Sequence, residues 1–555
     1  LGGFILFTHQ ELLKAFPFPE IREVQIEALE KVARTFGEGK RFCALEIPCG
    51  GGKSPLSWAI SSVASQMDSG VGVQPGSHIT TTQIILQQQY MRDFQPMGLK
   101  EIKGKSNYMC AHYEGGGVVD CTTASALHGE AEQCGNFCTY VKARKEYVDN
   151  PIGVTNLSYL TAIQKLQSNT EKISIPPRTL LVVDEAHNTE GELVGLGEVD
   201  VTEFRMKTLG LDAPLLLKDS WSEFEKAEQS KNWLTKVVIP VAKEKRLHFM
   251  SKAHQADDKQ VMVRAVKMAE GIDHFLRRVG TFLDSPDDEP WVAYNQLDPK
   301  GKPEGLILKP LYANRIAEEY LFSMGEYVLM MSATILAPRT FAKNLGIEIS
   351  DFGYKRFQSD FPAVNRPVIF DPAGSMNYKS IDSTLPLLAK KVESICKKHP
   401  FEKGIIHTNS FKVGKAVVEH LQRCGLGDRV LTHNSDKGSR DTAVAKHLSS
   451  PEPTILISPS LTEGLDLVGD LGRWQILCKT PYPPLGDLWI KARMQADSEW
   501  YQWMTGLAIM QASGRSVRNK EDHATTYLLD SEFRTFYKRN ESLFPQWWKD
   551  GLKMS

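Results

Sequence analysis

Two short segments carry the residue types of phosphate chemistry. Residues 47–55 read Ile-Pro-Cys-Gly50-Gly51-Gly52-Lys53-Ser54-Pro, and residues 182–188 read Val-Val-Asp184-Glu185-Ala-His187-Asn. Glycines let a backbone curl so that its N–H groups face a polyphosphate, a lysine reaches the outer phosphates, and a serine hydroxyl can ligate Mg²⁺. In the second segment Asp184 could hold the metal and Glu185 could orient or deprotonate the attacking water. Together they imply hydrolysis of a nucleoside triphosphate.

Such residues need rigid elements to present them. Apolar runs precede both segments, Phe42–Ile47 and Leu180–Val183, as buried parallel strands would. A helix-like stretch from Leu56 to Met67 follows the first and would aim its N-terminal dipole at the phosphates. Pro55 falls in the first turn of that helix, where its missing N–H costs little. A further strand is expected at Ile79–Leu86, running out into Thr80, Thr81, Thr82 and Gln83, side chains suited to a sugar-phosphate backbone. Residues 206–315 change to helical spacing (Phe224 to Val241, Val261 to Phe282) and are expected to end in a two-stranded element around Asp298–Gly301.

From about residue 347 the α/β pattern restarts, with strands expected at Gly404–His407, Thr454–Ser458, Trp474–Lys479 and Ala524–Leu529. Strands alternating with helices twice over imply two doubly wound α/β domains with parallel sheets. Arg515 and Arg518 lie three apart on one face of an expected helix, one turn beyond Gln511. An arginine pair on a second domain can reach a γ-phosphate held by the first and stabilise the charge that develops in phosphoryl transfer.

Four of the nine cysteines fall close together: Cys110, Cys121, Cys134 and Cys138. They lie in a glycine-rich, hydrophilic stretch, roughly residues 95–150, with little helical or strand period, which a bound metal could stabilise. The segment has no Cys-x-x-Cys pair, and tetrahedral thiolates leave zinc and an iron–sulfur cluster equally open. Lys103, Lys105, Lys142, Arg144 and Lys145 alternate with Tyr108, Tyr113, Phe137, Tyr140 and Tyr147. Cations for phosphates and rings for bases suit a single strand of nucleic acid.

The ordered set resembles the second helicase superfamily, and within it the XPD/DinG family of iron–sulfur DNA helicases in its compact archaeal, bacterial or viral form. The resemblance runs from Arg22 and Gln25 through the Lys53 loop, Asp184-Glu185-Ala-His187, Ser332-Ala-Thr334, Gly464 and Asp466 to Gln511–Arg518. Its most specific sign is Ser106-Asn-Tyr-Met-Cys110 ahead of three further cysteines, between the two ATPase motifs. Cys49 and Gly51 stand where the family's phosphate loop usually carries threonines, a departure that bears on rate more than on activity.

That resemblance implies two RecA-like motor domains, a [4Fe–4S] cluster on Cys110, Cys121, Cys134 and Cys138, and an inserted helical arch. The implied boundaries are 1–94, 151–205 and 326–346 for motor domain 1, 95–150 for the cluster domain, 206–325 for the arch and 347–555 for motor domain 2. ATP would be held by Arg22, Gln25, Gly50, Gly51, Gly52, Lys53, Ser54, Gly464 and Asp466, with Mg²⁺ on Ser54 and Asp184. Lys53, Asp184, Glu185, Gln511, Arg515 and Arg518 would carry the hydrolysis. The implied partners are single-stranded and forked DNA, with movement from 5′ to 3′, by a monomer.

Bulk properties narrow the rest. A formal net charge of −1 confines any nucleic-acid surface to a local groove. No apolar run approaches a membrane span, and the start Leu1-Gly-Gly-Phe-Ile-Leu-Phe lacks a basic leader, so an intracellular, reducing setting is expected for a trimmed or partial chain. Two other readings stay open: a translocase or RNA-remodelling ATPase that does not unwind duplexes, and a zinc-stabilised nucleic-acid-binding protein whose ATPase has decayed.

Overall fold

A computed structural model describes residues 7–110, 120–128, 138–167, 175–298, 300–434, 437–459, 469–513, 517 and 521–554, with only the backbone at 125–128, 167 and 437. Strands β1 (Phe42–Glu46), β2 (Gln74–Thr81), β3 (Lys100–Ile102), β4 (Ile152–Asn156) and β5 (Arg178–Asp184) belong to one sheet. Strands β6 (Val199–Val201), β7 (Trp291–Leu297) and β8 (Pro303–Pro310) form a separate antiparallel sheet. The chain then returns to the first sheet with β9 (Gly325–Ser332) and β10 (Phe352–Arg356).

The first sheet runs β10-β1-β9-β5-β2-β4-β3, every neighbouring pair parallel. Parallel strands need crossover helices, which cover both faces, and β1 and β5 are accordingly buried along their whole lengths. Their carboxyl ends, separated by β9, are where ligands meet an open α/β sheet. A second parallel sheet, in the order β13-β14-β12-β15-β16-β11-β17, comprises β11 (Val368–Gly374), β12 (Gly404–His407), β13 (Val430–Thr432), β14 (Ile455–Ser458), β15 (Trp474–Leu477), β16 (Thr525–Asp530) and β17 (Leu552–Met554). Two RecA-like lobes with an inserted helical unit are thus present. Among the described residues no helix is long and apolar enough to cross a membrane.

Several local expectations are corrected. Strand β10 completes the first sheet by pairing with β1, although it follows residue 347; its Tyr354 and Arg356 are drawn there by hydrogen bonds to the buried carboxylate of Glu46. The inserted unit carries three strands, not two, because Val199–Val201 pairs with Leu306–Leu308. The strand expected at Ile79–Leu86 stops at Thr81, and a helix starts at Ile84. Thr80 and Thr81 are fully buried, and Thr80 donates to the Val182 carbonyl, so neither faces a nucleic acid. The cysteine-bearing stretch is more regular than its glycine content suggests, with helices at Cys121–His128 and Thr139–Asp149.

Candidate nucleotide site and cysteine-bearing segment

Beyond β1 the chain turns through Pro48–Gly52 into the helix Lys53–Ala64. Gly50 and Gly52 sit at φ +76° and +79°, the left-handed region that glycine enters without strain. Gly51 is needed for space: a Cβ there would lie 2.5 Å from Ile47 Cγ2. Two residues upstream brace the turn. Gln25 Nε2 donates to the Gly52 carbonyl at 3.2 Å and its Oε1 accepts from Arg22 N–H at 2.9 Å, while Arg22 Nη1 donates to the Gly50 carbonyl at 2.5 Å. In this conformation both residues hold loop carbonyls.

Lys53 and the carboxylates meet across the sheet. Lys53 Nζ lies 2.8 Å from Glu185 Oε1. Asp184, at the end of β5, is buried; its Oδ1 accepts the Glu185 N–H at 2.9 Å and its Oδ2 accepts the Tyr90 hydroxyl at 3.0 Å. The same Tyr90 hydroxyl lies 2.9 Å from Ser57 Oγ, one turn along the helix that Lys53 and Ser54 open. Glu185 adopts φ +52°, a left-handed conformation that is costly for a side-chain-bearing residue and recurs at functional turns. His187 Nδ1 lies 2.8 Å from Ser332 Oγ at the end of β9, and that oxygen accepts the Thr334 N–H at 3.0 Å.

Electrostatics follow from this crowding. Burial pushes the Asp184 carboxyl above its ordinary value, Lys53 opposes the rise and the charge of Glu185 adds to it. Burial alone would depress Lys53, but Glu185 and Asp184 together hold it above its ordinary range. A hydroxyl and a carboxylate as oxygen donors, with a lysine and a second carboxylate beside them, fit Mg²⁺ bound with a polyphosphate.

The second lobe approaches through helices Leu488–Ala496 and Ser498–Ser513, the latter carrying Gln511 in its last turn. Arg493 is fully buried and donates to Glu190 Oε1 at 3.2 Å and Asn344 Oδ1 at 2.6 Å. Trp500 Nε1 donates to Glu190 Oε2 at 2.9 Å, and Trp503 Nε1 to the Ile335 carbonyl at 2.7 Å. Glu190 sits on the helix Thr189–Gly197, which follows the two carboxylates. Gly464, Asp466, Arg515 and Arg518 lie outside the described residues. Tyr90 and Glu190 had no sequence signal: each is an ordinary residue far in sequence from its partner.

Of the four clustered cysteines, Cys134 lies outside the described residues. Cys121 opens the helix Cys121–His128, Cys138 caps the helix Thr139–Asp149, both are buried, and their sulfurs are 3.6 Å apart; Cys110 is partly exposed. The spacing of Cys121 and Cys138 is close to that of two thiolates on one tetrahedral ion, which with ~2.3 Å bonds sit about 3.8 Å apart. A cubane cluster gives each thiolate its own iron and would need Cys121 and Cys138 farther apart. Two rings assigned to base stacking are withdrawn. Tyr140 and Tyr147 are buried, hydrogen-bonded to Tyr159 at 2.9 Å and His78 at 2.7 Å, because they anchor their helix to the helix Leu157–Gln167 and to β2. Tyr113 and Phe137 fall outside the described residues, leaving Tyr108 as the half-buried ring.

Residues 392–551 match the family described as Helicase C-terminal domain, and residues 18–211 match Type III restriction enzyme, res subunit. The regulator of telomere elongation helicase 1 of Rattus norvegicus is 24% identical over 272 residues, covering 46% of this chain and 17% of that protein. Its Mus musculus counterpart is 30% identical over 109 residues, 17% of this chain and 9% of the relative. The chain thus spans less than a fifth of the length of these curated relatives. Among solved structures, one titled XPD_Helicase aligns with a TM-score of 0.63 at 17% identity, covering 97% of this chain and 100% of that one. S. tokodaii Xpd4 aligns with a TM-score of 0.56 at 14% identity, covering 96% of this chain and 100% of that one. Over nearly its whole length the chain is thus similar in fold to the solved XPD structures, and each of its two lobes carries a match to one of the two family models.

Proposed function

We propose that the protein is an ATP-dependent DNA helicase that moves 5′ to 3′ on single-stranded DNA and separates duplex ahead of it. The observation that carries this reading is the convergence of Lys53, Asp184 and Glu185 beside the glycine turn, at the carboxyl ends of β1 and β5. Mg²⁺ would be held by Ser54 and Asp184 and would neutralise phosphate charge. Lys53 binds the outer phosphates, and Glu185 orients the attacking water and takes its proton. Arg22 and Gln25 reach the adenine, and Gly464 and Asp466 complete the nucleotide cleft. Gln511, Arg515 and Arg518 bring the second lobe to the γ-phosphate, and closure of the lobes on ATP moves the strand. Residues 95–150 carry the thiolate centre, read from the family resemblance as [4Fe–4S], and the inserted helical unit acts as the arch.

The test is ATP turnover with and without single-stranded DNA and RNA, followed by unwinding of 5′-tailed, 3′-tailed and blunt duplexes. DNA-stimulated turnover with unwinding from the 5′ tail is expected, weakening with salt as phosphate contacts release counterions. Preference for a 3′ tail overturns the direction. Stimulation by RNA alone would favour an RNA-remodelling ATPase, and absence of turnover a binding protein.

A further inference from the structure

Away from the nucleotide cleft, three side chains of different ligand type converge in the second lobe. Glu393 lies on the helix Ile381–Lys398, His420 near the end of the helix Phe411–Arg423, and Cys424 at that helix's C-cap. Residues four apart share a helix face, so His420 and Cys424 point the same way. His420 Nε2 is 2.8 Å from Glu393 Oε2 and 3.6 Å from Cys424 Sγ. One ligand atom from each residue lies within 4.8 Å of the others, and all three side chains are partly buried.

We propose that Glu393, His420 and Cys424 form a binding site for a zinc-class divalent cation, with water as fourth ligand, that staples these two helices of the second lobe together. A carboxylate oxygen, an imidazole nitrogen and a thiolate are a donor set that tetrahedral zinc takes. With bonds of about 2.0–2.3 Å, a nitrogen and a sulfur on one tetrahedral ion sit about 3.6 Å apart, and a nitrogen and an oxygen about 3.4 Å. The sulfur–nitrogen spacing is already met. The His420–Glu393 contact needs to open by only about 0.6 Å as the ion replaces the hydrogen bond. Lys397 Nζ holds Glu393 Oε1 at 2.6 Å, so the other oxygen, Oε2, remains directed at His420. Metal binding displaces the Cys424 thiol proton to solvent, and the anionic thiolate and carboxylate then balance a doubly charged ion. Among the described residues no hydrogen bond or ion pair joins these three to the nucleotide-site groups, and they are separate in sequence from Cys110–Cys138.

The experiment uses the full chain, purified without oxygen, in wild-type form and as Cys424→Ser, His420→Ala and Glu393→Gln. Each is equilibrated with micromolar zinc, desalted and analysed for zinc and iron, with basal ATP turnover and circular dichroism as controls for folding. Wild type is expected to retain one zinc more than Cys424→Ser or His420→Ala, with iron unchanged among them. Cobalt(II) substitution supplies a second readout: a thiolate-to-cobalt absorption that Cys424→Ser removes and Cys134→Ser leaves. Should one variant fail to fold, Glu393→Gln, which keeps shape and hydrogen bonding, is expected to lose zinc affinity by tenfold or more. Equal zinc content in wild type and the folded variants overturns the proposal and leaves a hydrogen-bonded staple only.

Discussion

Lys53 and Glu185 form a 2.8 Å ion pair across the first sheet, one from the phosphate-loop helix and the other from the turn beyond β5. On the proposed function, a bound triphosphate would compete with Glu185 for that ammonium, drawing Lys53 toward the phosphates and leaving the carboxylate to face water.

The two members should therefore fail differently. Lys53→Ala is expected to abolish turnover and weaken nucleotide binding by tenfold or more, because it removes charge from the phosphates. Glu185→Gln is expected to lower turnover by about 10² or more while binding stays near normal, since a general base contributes roughly that factor. Fluorescent-nucleotide titration beside steady-state turnover separates the cases. Near-normal turnover in Glu185→Gln would remove the carboxylate from catalysis.

Asp184 is expected to make nucleotide binding sensitive to pH. Its carboxyl titrates above the ordinary aspartate value, chiefly through burial, so the nucleotide-free fold retains that proton after the unfolded chain has lost it. The sign follows: this group's contribution to stability is greatest below the unfolded value and declines as pH rises through the folded one. Mg²⁺ requires the ionised form, so Mg²⁺-dependent nucleotide affinity should rise with pH over the same window. Titrations at several pH values check this, and Asp184→Asn is expected to give weak, flat affinity. A slope that persists in Asp184→Asn assigns the dependence elsewhere.

The buried junction of Glu190, Arg493 and Trp500 ties the helix that carries Gln511 to the helix that follows Asp184 and Glu185. Removing Arg493 strands a buried carboxylate, which typically costs about 3–5 kcal/mol. Arg493→Met is expected to be destabilised on that order at neutral pH. Burial already raises the Glu190 carboxyl, with Arg493 opposing the rise, so loss of the arginine raises it further and lets Glu190 pick up a proton. The deficit should shrink as pH falls, a direction set by the raised folded value. Denaturant unfolding at two pH values tests it, and an equal deficit at both would show that packing, not charge, is what was lost.

What could be read from the sequence was local. Gly50–Ser54 and Asp184–Glu185 each declare themselves by composition within a few residues, and the apolar runs before them declare their strands. The long-range partners had no such pattern. Tyr90 reaches Asp184 across 94 positions, and Glu46 gathers Tyr354 and Arg356 from beyond the expected lobe boundary. Strand β10 mixes polar and apolar residues at a sheet edge, so periodicity could not assign it to the first lobe. Tyr140 and Tyr147 looked like stacking rings because charged neighbours surround them in sequence, but the helix turns both rings into the core.

That burial changes what loss of the thiolate centre should do. A segment without a core would unfold entirely when a ligand is removed, whereas the helix Thr139–Asp149 is held by Tyr140 and Tyr147 whether or not metal is bound. Cys134→Ser and Cys110→Ser are therefore expected to loosen the polypeptide around Cys110–Cys138 while leaving this helix and basal ATP turnover in place. Hydrogen exchange should show fast amides on the Cys110–Cys138 side and protection across Tyr140–Tyr147. Duplex unwinding is expected to fall by an order of magnitude or more. If the centre is a [4Fe–4S] cluster, protein prepared without oxygen is brown, holds iron and sulfide, and bleaches on oxidation, with Cys121 and Cys138 parted beyond their 3.6 Å spacing. Stoichiometric zinc at these thiols without iron would instead match that spacing as it stands, and full unwinding by Cys134→Ser would take the centre out of the mechanism.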